Sequence, residues 1–406
     1  MTPTSHPLLA ALRRNPTGPV LIALQIGITL AILVNAAAIV IHAVRRMDRP
    51  TGLDTRDTFV MEMAGLSKHL DVYSASSQDL AYLRHLPGVA AASVIFGIPL
   101  TNNGGDTAVG RLPGSQGPTV TSAYLPVDRQ GLRALGVALL AGRNFRASEI
   151  RVPSAAQPDP PIGAVILTQA LAHALFPHGN ALGQSIYLGN HTPSTIVGIT
   201  RNFMGPQLRT GAGAYDTILI PEVITQYAIY DLLVRTRPGQ RDAVLRAAKH
   251  HIGAANPNAV LGQTVTLTHA KRLLYFGLRN LAIFLSFLTL VMLALCCLGI
   301  FGLGTFNVAT RTRQIGIRRA LGARRRDIVM LCLAENAVTV SAGAILGCLL
   351  ALGIGQWLTD HDGLARLDPR YLLVGIAVLA LTSQLAAWQP ARRAAGIPPS
   401  VATRTV

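Results

Sequence analysis

Hydrophobic positions run almost unbroken through four stretches, Val20 to Val44, Leu281 to Val308, Ile328 to Leu358 and Tyr371 to Trp388, and alternate with polar ones in the long interval between the first two. A helix needs about 20 mostly apolar residues to cross the hydrocarbon core of a bilayer. The pattern therefore predicts transmembrane helices over 20–44, 279–310, 328–358 and 371–389, the last being the shortest. The first run is longer than the apolar region of a signal peptide and no small-residue cleavage site closes it, so it is read as a retained anchor. Ahead of it, His6 to Arg14 places Leu8, Leu9 and Leu12 on one helical face before Asn15-Pro16, the pattern of a short interfacial helix or of a frayed terminus.

The interval 45–278 reads as a folded α+β domain rather than a linker. Thr58 to Ala64 predicts a strand, Gln78 to Leu86 a helix with Leu80, Leu83 and Leu86 inward, and Val89 to Gly97 a second strand. Near the other end, Asp231 to Thr236 and Thr264 to Leu267 read as extended, with a helix over Gly239 to Ile252 carrying Val244, Leu245 and Ala248. Two β-α-β units bracketing the domain predict one sub-domain built from its two ends, with an insert at about 101–225 as the other. Within the insert, Ala164 to Pro177 reads as strand then helix, with Thr168 as N-cap and Pro177 past the helix end. The proline-rich stretch Arg151 to Pro161 reads as a loop. The fold class is thus a membrane protein of four transmembrane α-helices, one plus three, with a large α+β extracytoplasmic domain of two sub-domains.

Composition agrees with a bilayer as part of the solvent. Half of the 406 residues are hydrophobic and 14% are charged, and the mean hydropathy is positive, too apolar for a soluble domain of this size. All four cysteines, Cys296, Cys297, Cys332 and Cys348, fall inside apolar runs, which argues against disulfide staples and structural metal. The formal charge of +17 rests on arginines beside the apolar runs, with lysine only at 68, 249 and 271; this favours flanking a membrane over binding nucleic acid.

Orientation follows from arginine and lysine in short loops. The segment 311–327 carries Arg311, Arg313, Arg318, Arg319, Arg324, Arg325 and Arg326 against Asp327, and the tail 390–406 adds Arg392, Arg393 and Arg404. Both should be cytoplasmic. Around the first span, Arg45, Arg46, Arg49 and Arg56 outnumber Arg13 and Arg14, but they lead into a domain of more than 200 residues, and long domains translocate largely regardless of charge. The expected topology has both termini, 1–19 and 390–406, cytoplasmic, the domain outside, and a short outer loop at 359–370.

Catalytic motifs are missing. No G-x-x-x-x-G-K-[ST] loop exists, since none of the three lysines follows a glycine, and neither H-E-x-x-H nor G-x-S-x-G occurs. The chain is expected not to be an enzyme and to bind no cofactor or metal. His250 and His251 are adjacent on an expected helix, point to different faces, and read as solvated. Glu335, about two turns into the third span, is either a functional group facing protein or water, or an anchor that snorkels or pairs with Arg324 or Arg325. Gly343 and Gly347 form G-x-x-x-G in that span, and Gly299, Gly302 and Gly304 flatten the second, so backbones can approach closely within the chain or across a dimer. In the basic loop, Ile317 and Leu321 share a helical face beside Ala320, arginines cover the rest, and Gly322 suits the helix end. Such a helix can dock into a partner's groove or lie on anionic lipid.

From Ile315 to Ala323 the loop reads I-G-I-R-R-A-L-G-A, and here the chain resembles the MacB and FtsX-like family of ABC permeases. The resemblance extends to Glu335, where that family also tends to carry an acid, to Pro390–Ala395, and, in the outer domain, to Gly136–Phe145, Ala164–Ala172 with Leu175–Pro177, and Ile196–Ile199. It implies a permease subunit paired with a second copy or a paralogue, whose residues Ile315, Gly316, Ile317, Arg318, Arg319, Leu321 and Gly322 couple to an ABC ATPase. It also implies a bacterial inner-membrane location and motion of the periplasmic domain driven by ATP that the partner hydrolyses. Gln314 departs from the family's usual Glu. No ATPase domain precedes the first span, so the ATPase is expected as a separate chain. The function implied is efflux of peptides, macrolides or similar amphipathic compounds, with a periplasmic adaptor and outer-membrane channel as further partners. The alternative is a signal-transmitting scaffold that controls a cell-wall hydrolase or senses antimicrobial peptides, and lipoprotein extraction is a third reading close to export.

Overall fold

The computed structural model describes residues 17–67, 70–113, 117–154, 157, 159–189, 193–207, 211–255, 259–362 and 368–398. The expected helix His6 to Arg14, part of the expected outer loop at 359–370, and Arg404 of the tail lie outside the described residues. In chain order, helix α1 (Thr17–Met47) precedes β1 (Thr58–Gly65), α2 (Val72–His85), β2 (Val89–Ile95), β3 (Gly105–Gly110), β4 (Thr119–Val127), α3 (Gly131–Leu135), β5 (Leu139–Gly142), β6 (Ala164–Thr168), α4 (Gln169–Leu175), β7 (Ser185–Leu188), β8 (Ser194–Thr200), β9 (Thr217–Pro221), β10 (Ile229–Thr236), α5 (Arg241–Ala255), β11 (Ala259–Thr266) and α6 (Leu267–Leu274). The chain then continues through α7 (Phe276–Thr310), α8 (Thr312–Ala320), α9 (Arg325–Asp362) and α10 (Pro369–Ala395). Two compact units result, Met1–Asp48 with Leu278–Val406, and Arg49–Gly277.

In the second unit the two ends of the segment supply β11-β1-β10-β2, an antiparallel run joined to the remaining strands by the Ile95–Val127 pair of β2 and β4. From β4 the order continues β3-β7-β8-β6-β9, and β9 pairs back onto β4 in parallel, so these six strands close a ring. Alternation sets the cores. On β1, Phe59, Met61 and Met63 pack with Leu80 and Leu83 of α2 and with Val244, Ala248 and Ile252 of α5, whereas Val60 joins a second cluster with Leu125, Leu135 and Leu219. On β9, Ile218 and Ile220 leave Leu219 for a third cluster with Leu171 and Leu175 of α4.

Local boundaries differ from the sequence pattern where polar contacts decide them. Helix α2 begins six residues before the expected Gln78, because the Asp71 carboxylate accepts from the Ser74 N–H at 3.0 Å and caps a more polar first turn. Strand β11 starts at Ala259 and ends at Thr266, whose hydroxyl accepts from the His269 N–H, so Leu267 opens a helix instead of closing a strand. Thr168 occupies the N-cap of α4 without capping it: its hydroxyl donates to the Tyr215 carbonyl at 2.6 Å, and Asn202 Oδ1 accepts the Ala170 N–H in its place.

Among the described residues, the first unit contains four helices long and apolar enough to cross a membrane, α1, α7, α9 and α10. They exceed the apolar runs, since helical hydrogen bonding continues into polar end turns; α9 starts at Arg325 and α10 carries Pro390–Ala395 in its last turns. Asp368 caps α10 by accepting from Arg370 N–H at 2.9 Å, with Pro369 at the first helical position. Packing centres on α1 and α9. An added Cβ on Gly343 would stand 2.7 Å from the Ala23 carbonyl oxygen, and one on Gly347 2.7 Å from Leu30 Cβ, so the G-x-x-x-G face meets α1 at backbone distance. Gly299 lies against Gln25, and Gly304 against Pro390. Gly302 does not join this packing: nothing stands within 4 Å of its Cβ position, because it faces away from the other helices. Polar side chains also bridge helices. Asn35 donates to the Ala351 carbonyl, Gln25 to that of Leu295, and Asn336 to that of Ser383.

Candidate functional site

Helix α8 stops at the turn made by Gly322. The Gly322 N–H donates to the Arg319 carbonyl and the Ala323 N–H to that of Arg318, a double closure that needs the left-handed φ of +98° at Gly322. Its inner side packs: Ile315 lies against a cluster of Ile328, Ala394 and Ala395, and Gly316 is buried. Its outer side does not. Ile317 is 49% exposed and Leu321 83%, the pairing of faces expected for Ile317 and Leu321 from their spacing. Around them Arg313, Gln314, Arg318, Arg324, Arg325 and Arg326 are exposed. The loop presents two aliphatic side chains within a field of guanidinium groups, a surface suited to a groove with an apolar floor and an acidic rim.

Two arginines of the loop turn inward. Arg311, at the corner between α7 and α8, donates through Nη1 to both carboxylate oxygens of Glu335 on α9, at 3.0 and 3.3 Å, with the two side chains about one-third exposed. The expected partners Arg324 and Arg325 are not the ones used: Arg324 precedes α9 and Arg325 opens it, both exposed and roughly 15 Å along the helix axis from Glu335, whereas the turn at Thr310–Thr312 folds Arg311 back along α9. Arg319 donates to the Ile397 carbonyl just past the end of α10. Nothing in the linear pattern marks these pairings, which depend on the corner that the folded chain makes at Arg311.

The large domain holds its own buried charge. Tyr230 donates to Asp79 at 2.7 Å, and burial holds the Asp79 carboxyl above the ordinary range. His251 is not simply solvated: its ring stacks on Tyr82 at 3.5 Å between centroids. Next to Tyr230 on β10, Asp231 lies opposite Glu62 of β1 and accepts the Gly97 N–H. Burial first, then the Glu62 charge, push the Asp231 carboxyl from the ordinary 3.8 up to about 7, against the lowering effect of the Gly97 hydrogen bond. Between these values the folded state binds the proton that the unfolded chain releases. The stability contributed is therefore complete below about pH 4 and is lost as pH rises through about 7, by up to about 4 kcal/mol. Asp231→Asn should flatten this part of the profile and raise the urea midpoint at pH 8 relative to the parent, with little difference at about pH 3.5, below both values. An unchanged difference between the two proteins at both pH values would contradict the assignment. Among the described residues, no cluster of three or more His, Cys, Asp or Glu could hold a metal ion.

A family profile described as MacB-like periplasmic core domain matches residues 20–251, more than half of the chain, and one described as FtsX-like permease C-terminal matches residues 286–399. Similar curated proteins include the macrolide export ATP-binding/permease protein MacB of Agrobacterium fabrum, 28% identical over 295 residues, and that of Chromobacterium violaceum, 25% identical over 291 residues. Each match covers 69% of this chain and 43% of the relative, so the chain spans less than half the length of the curated relatives it matches. Among solved structures, the periplasmic region of MacB from Actinobacillus actinomycetemcomitans aligns over 56% of this chain and 97% of its own length, with 11% identity and a TM-score of 0.34.

Proposed function

Because the chain belongs to the family of multi-pass membrane permeases that joins a MacB-like periplasmic core domain to an FtsX-like permease region, we propose that it is the membrane subunit of an ABC exporter. In this reading α8 docks on an ABC ATPase supplied by another chain, and ATP binding and hydrolysis there drive motion of the periplasmic domain. The cargo is a peptide, a macrolide or a similar amphipathic compound, in keeping with the export named for the relatives. The arginine-rich loop and Arg392 and Arg393 in the last turn of α10 favour a cytoplasmic side for both, hence cytoplasmic termini and an inner-membrane location. A second permease copy or a paralogue completes the transporter, with an adaptor and an outer-membrane channel beyond it.

The observation that carries this reading is the split of α8 into a packed inner side and an exposed pair, Ile317 and Leu321, ringed by arginines. Aliphatic side chains left exposed on a cationic helix are costly in water and useful at an interface, where a few central anchors supply most of the affinity. The double variant Ile317→Asp, Leu321→Asp should insert and purify like the parent and bind its ATPase at least about 30-fold more weakly. Membrane co-purification in mild detergent reads this directly. Retention of the ATPase at the parent's level would exclude α8 as the docking element, and binding of the parent to anionic vesicles with no ATPase recovered would assign the loop to lipid.

A further inference from the structure

The inward arginines give the loop a property that docking alone does not require. Helix α8 spans only nine residues between a corner at Arg311 and a glycine turn at Gly322, either of which could flex under load. Each end is instead tied to a different span. At the first end the Arg311 guanidinium grips the Glu335 carboxylate, which lies on α9 about two turns into its apolar stretch, where an unpaired carboxylate is disfavoured. At the second end Arg319 holds the Ile397 carbonyl beyond α10. Between them Ile315 packs on Ile328 of α9 and on Ala394 and Ala395 of α10. The exposed Ile317 and Leu321 use none of these contacts.

We propose that Arg311 and Glu335 are positioning residues that clamp α8 to α9, so that a push on Ile317 and Leu321 moves the spans as one body with α8 instead of bending the loop. The inference rests on α8 being the docking helix, but the clamp itself can be judged without that. The ion pair is partly shielded from water, so its geometry is held more firmly than that of a surface pair. Arg311 acts at a distance from the partner: it shapes the lever, and the exposed pair makes the contact. Loss of the clamp therefore separates binding from transmission, an outcome that simple unfolding of α8 would not give.

The test uses the full chain in lipid nanodiscs, alone and with the ABC ATPase that co-purifies with it. Glu335→Gln and Arg311→Gln should each raise the initial rate of tryptic cleavage within 312–326 by about tenfold, since cleavage follows the population of the opened loop. Both should keep the ATPase bound within about twofold and lower permease-dependent ATP turnover at least about fivefold. Arg311→Lys, which preserves the charge, should stay near the parent in all three, and the exchange Arg311→Glu with Glu335→Arg should restore loop protection. Cleavage of Glu335→Gln at the parent's rate would overturn the clamp whatever the ATPase does. Faster cleavage with unchanged ATP turnover would overturn its role in transmission. If Ile317→Asp, Leu321→Asp still retains the ATPase, the docking reading fails while the cleavage rates continue to decide the clamp.

Discussion

Gly343→Leu is expected to abolish the native packing of α1 against α9, and Gly343→Ala to lower the apparent Tm of the detergent-solubilised chain by roughly 5–10 °C. The reason is where the new carbon would go. Its nearest neighbours are the Ala23 carbonyl oxygen at 2.7 Å and Ile26 Cβ at 2.8 Å, atoms of the α1 backbone or fixed directly to it, so no side-chain rotation can make room. Gly347 repeats the situation one turn on, with Leu30 Cβ at 2.7 Å and the Gly27 carbonyl at 2.9 Å. Separating the helices would also cost the bond from Asn35 to the Ala351 carbonyl, which leaves a buried amide short of an acceptor. Between apolar helices in lipid, close packing and such bonds are the main attractive terms, because burial from water no longer distinguishes the associated state. Gly302→Leu provides the internal control: its side chain would enter open space and should leave the Tm unchanged. Thermal size-exclusion profiles of the three variants measure the effect, and a Gly343→Leu protein as stable as Gly302→Leu would show that α1 and α9 do not approach this closely.

How far the sequence announces this arrangement depends on the range of the contacts. The long apolar helices are legible because length and composition alone specify them, and the two ends of the large domain are legible because β1, α2, β2 and β10 carry regular apolar periods. The ring of β3, β4, β6, β7, β8 and β9 is legible only at β6, whose strand the run from Ala164 announces ahead of α4. Its strands are four to nine residues long, several with exposed or polar faces, and it closes through β4–β9 pairing between residues near 125 and residues near 219. Only tertiary contact selects such a register. The same limit applies to the loop. The spacing of Ile317 and Leu321 places them on one face, as a helical period requires, but the pairing alternative for Glu335 points to Arg324 or Arg325, which are nearer in sequence than Arg311, and the corner at Arg311 reverses that order. Thr168 has the residue type of a cap and the position of one, yet its hydroxyl bonds to the carbonyls of Tyr215 and Thr217.

Arg151→Gln is expected to destabilise the large domain by about 3–5 kcal/mol, the usual result of removing one member of a buried ion pair. Arg151 is 8% exposed and Glu222 5%. The guanidinium reaches Glu222 at 3.4 Å and Asp159 at 3.0 Å, while the Tyr124 hydroxyl donates to Glu222 at 2.8 Å. Burial and the adjacent Glu222 carboxylate hold the Tyr124 phenol above its ordinary range, so it stays protonated and continues to donate. Without Arg151 the Glu222 charge keeps, among the described residues, the Tyr124 hydroxyl as its donor in an interior that excludes water. The consequence extends beyond local stability. Arg151 N–H donates to the Pro221 carbonyl and its own carbonyl accepts from Val223, which fastens the segment after β5 to the end of β9. Ile150 beside it packs against both the cluster under β1 and the one shared with the ring. These contacts tie the β11-β1-β10-β2 run to the closed ring. Arg151→Met with Glu222→Met removes both charges and should recover most of the loss, since apolar replacement of a whole buried pair is often close to neutral. Hydrogen exchange at β9 and at 147–151 distinguishes the cases: fast exchange in Arg151→Gln that returns toward the parent's rate in the double variant is the expected result, and equal exchange in all three would mean the pair does not hold this junction.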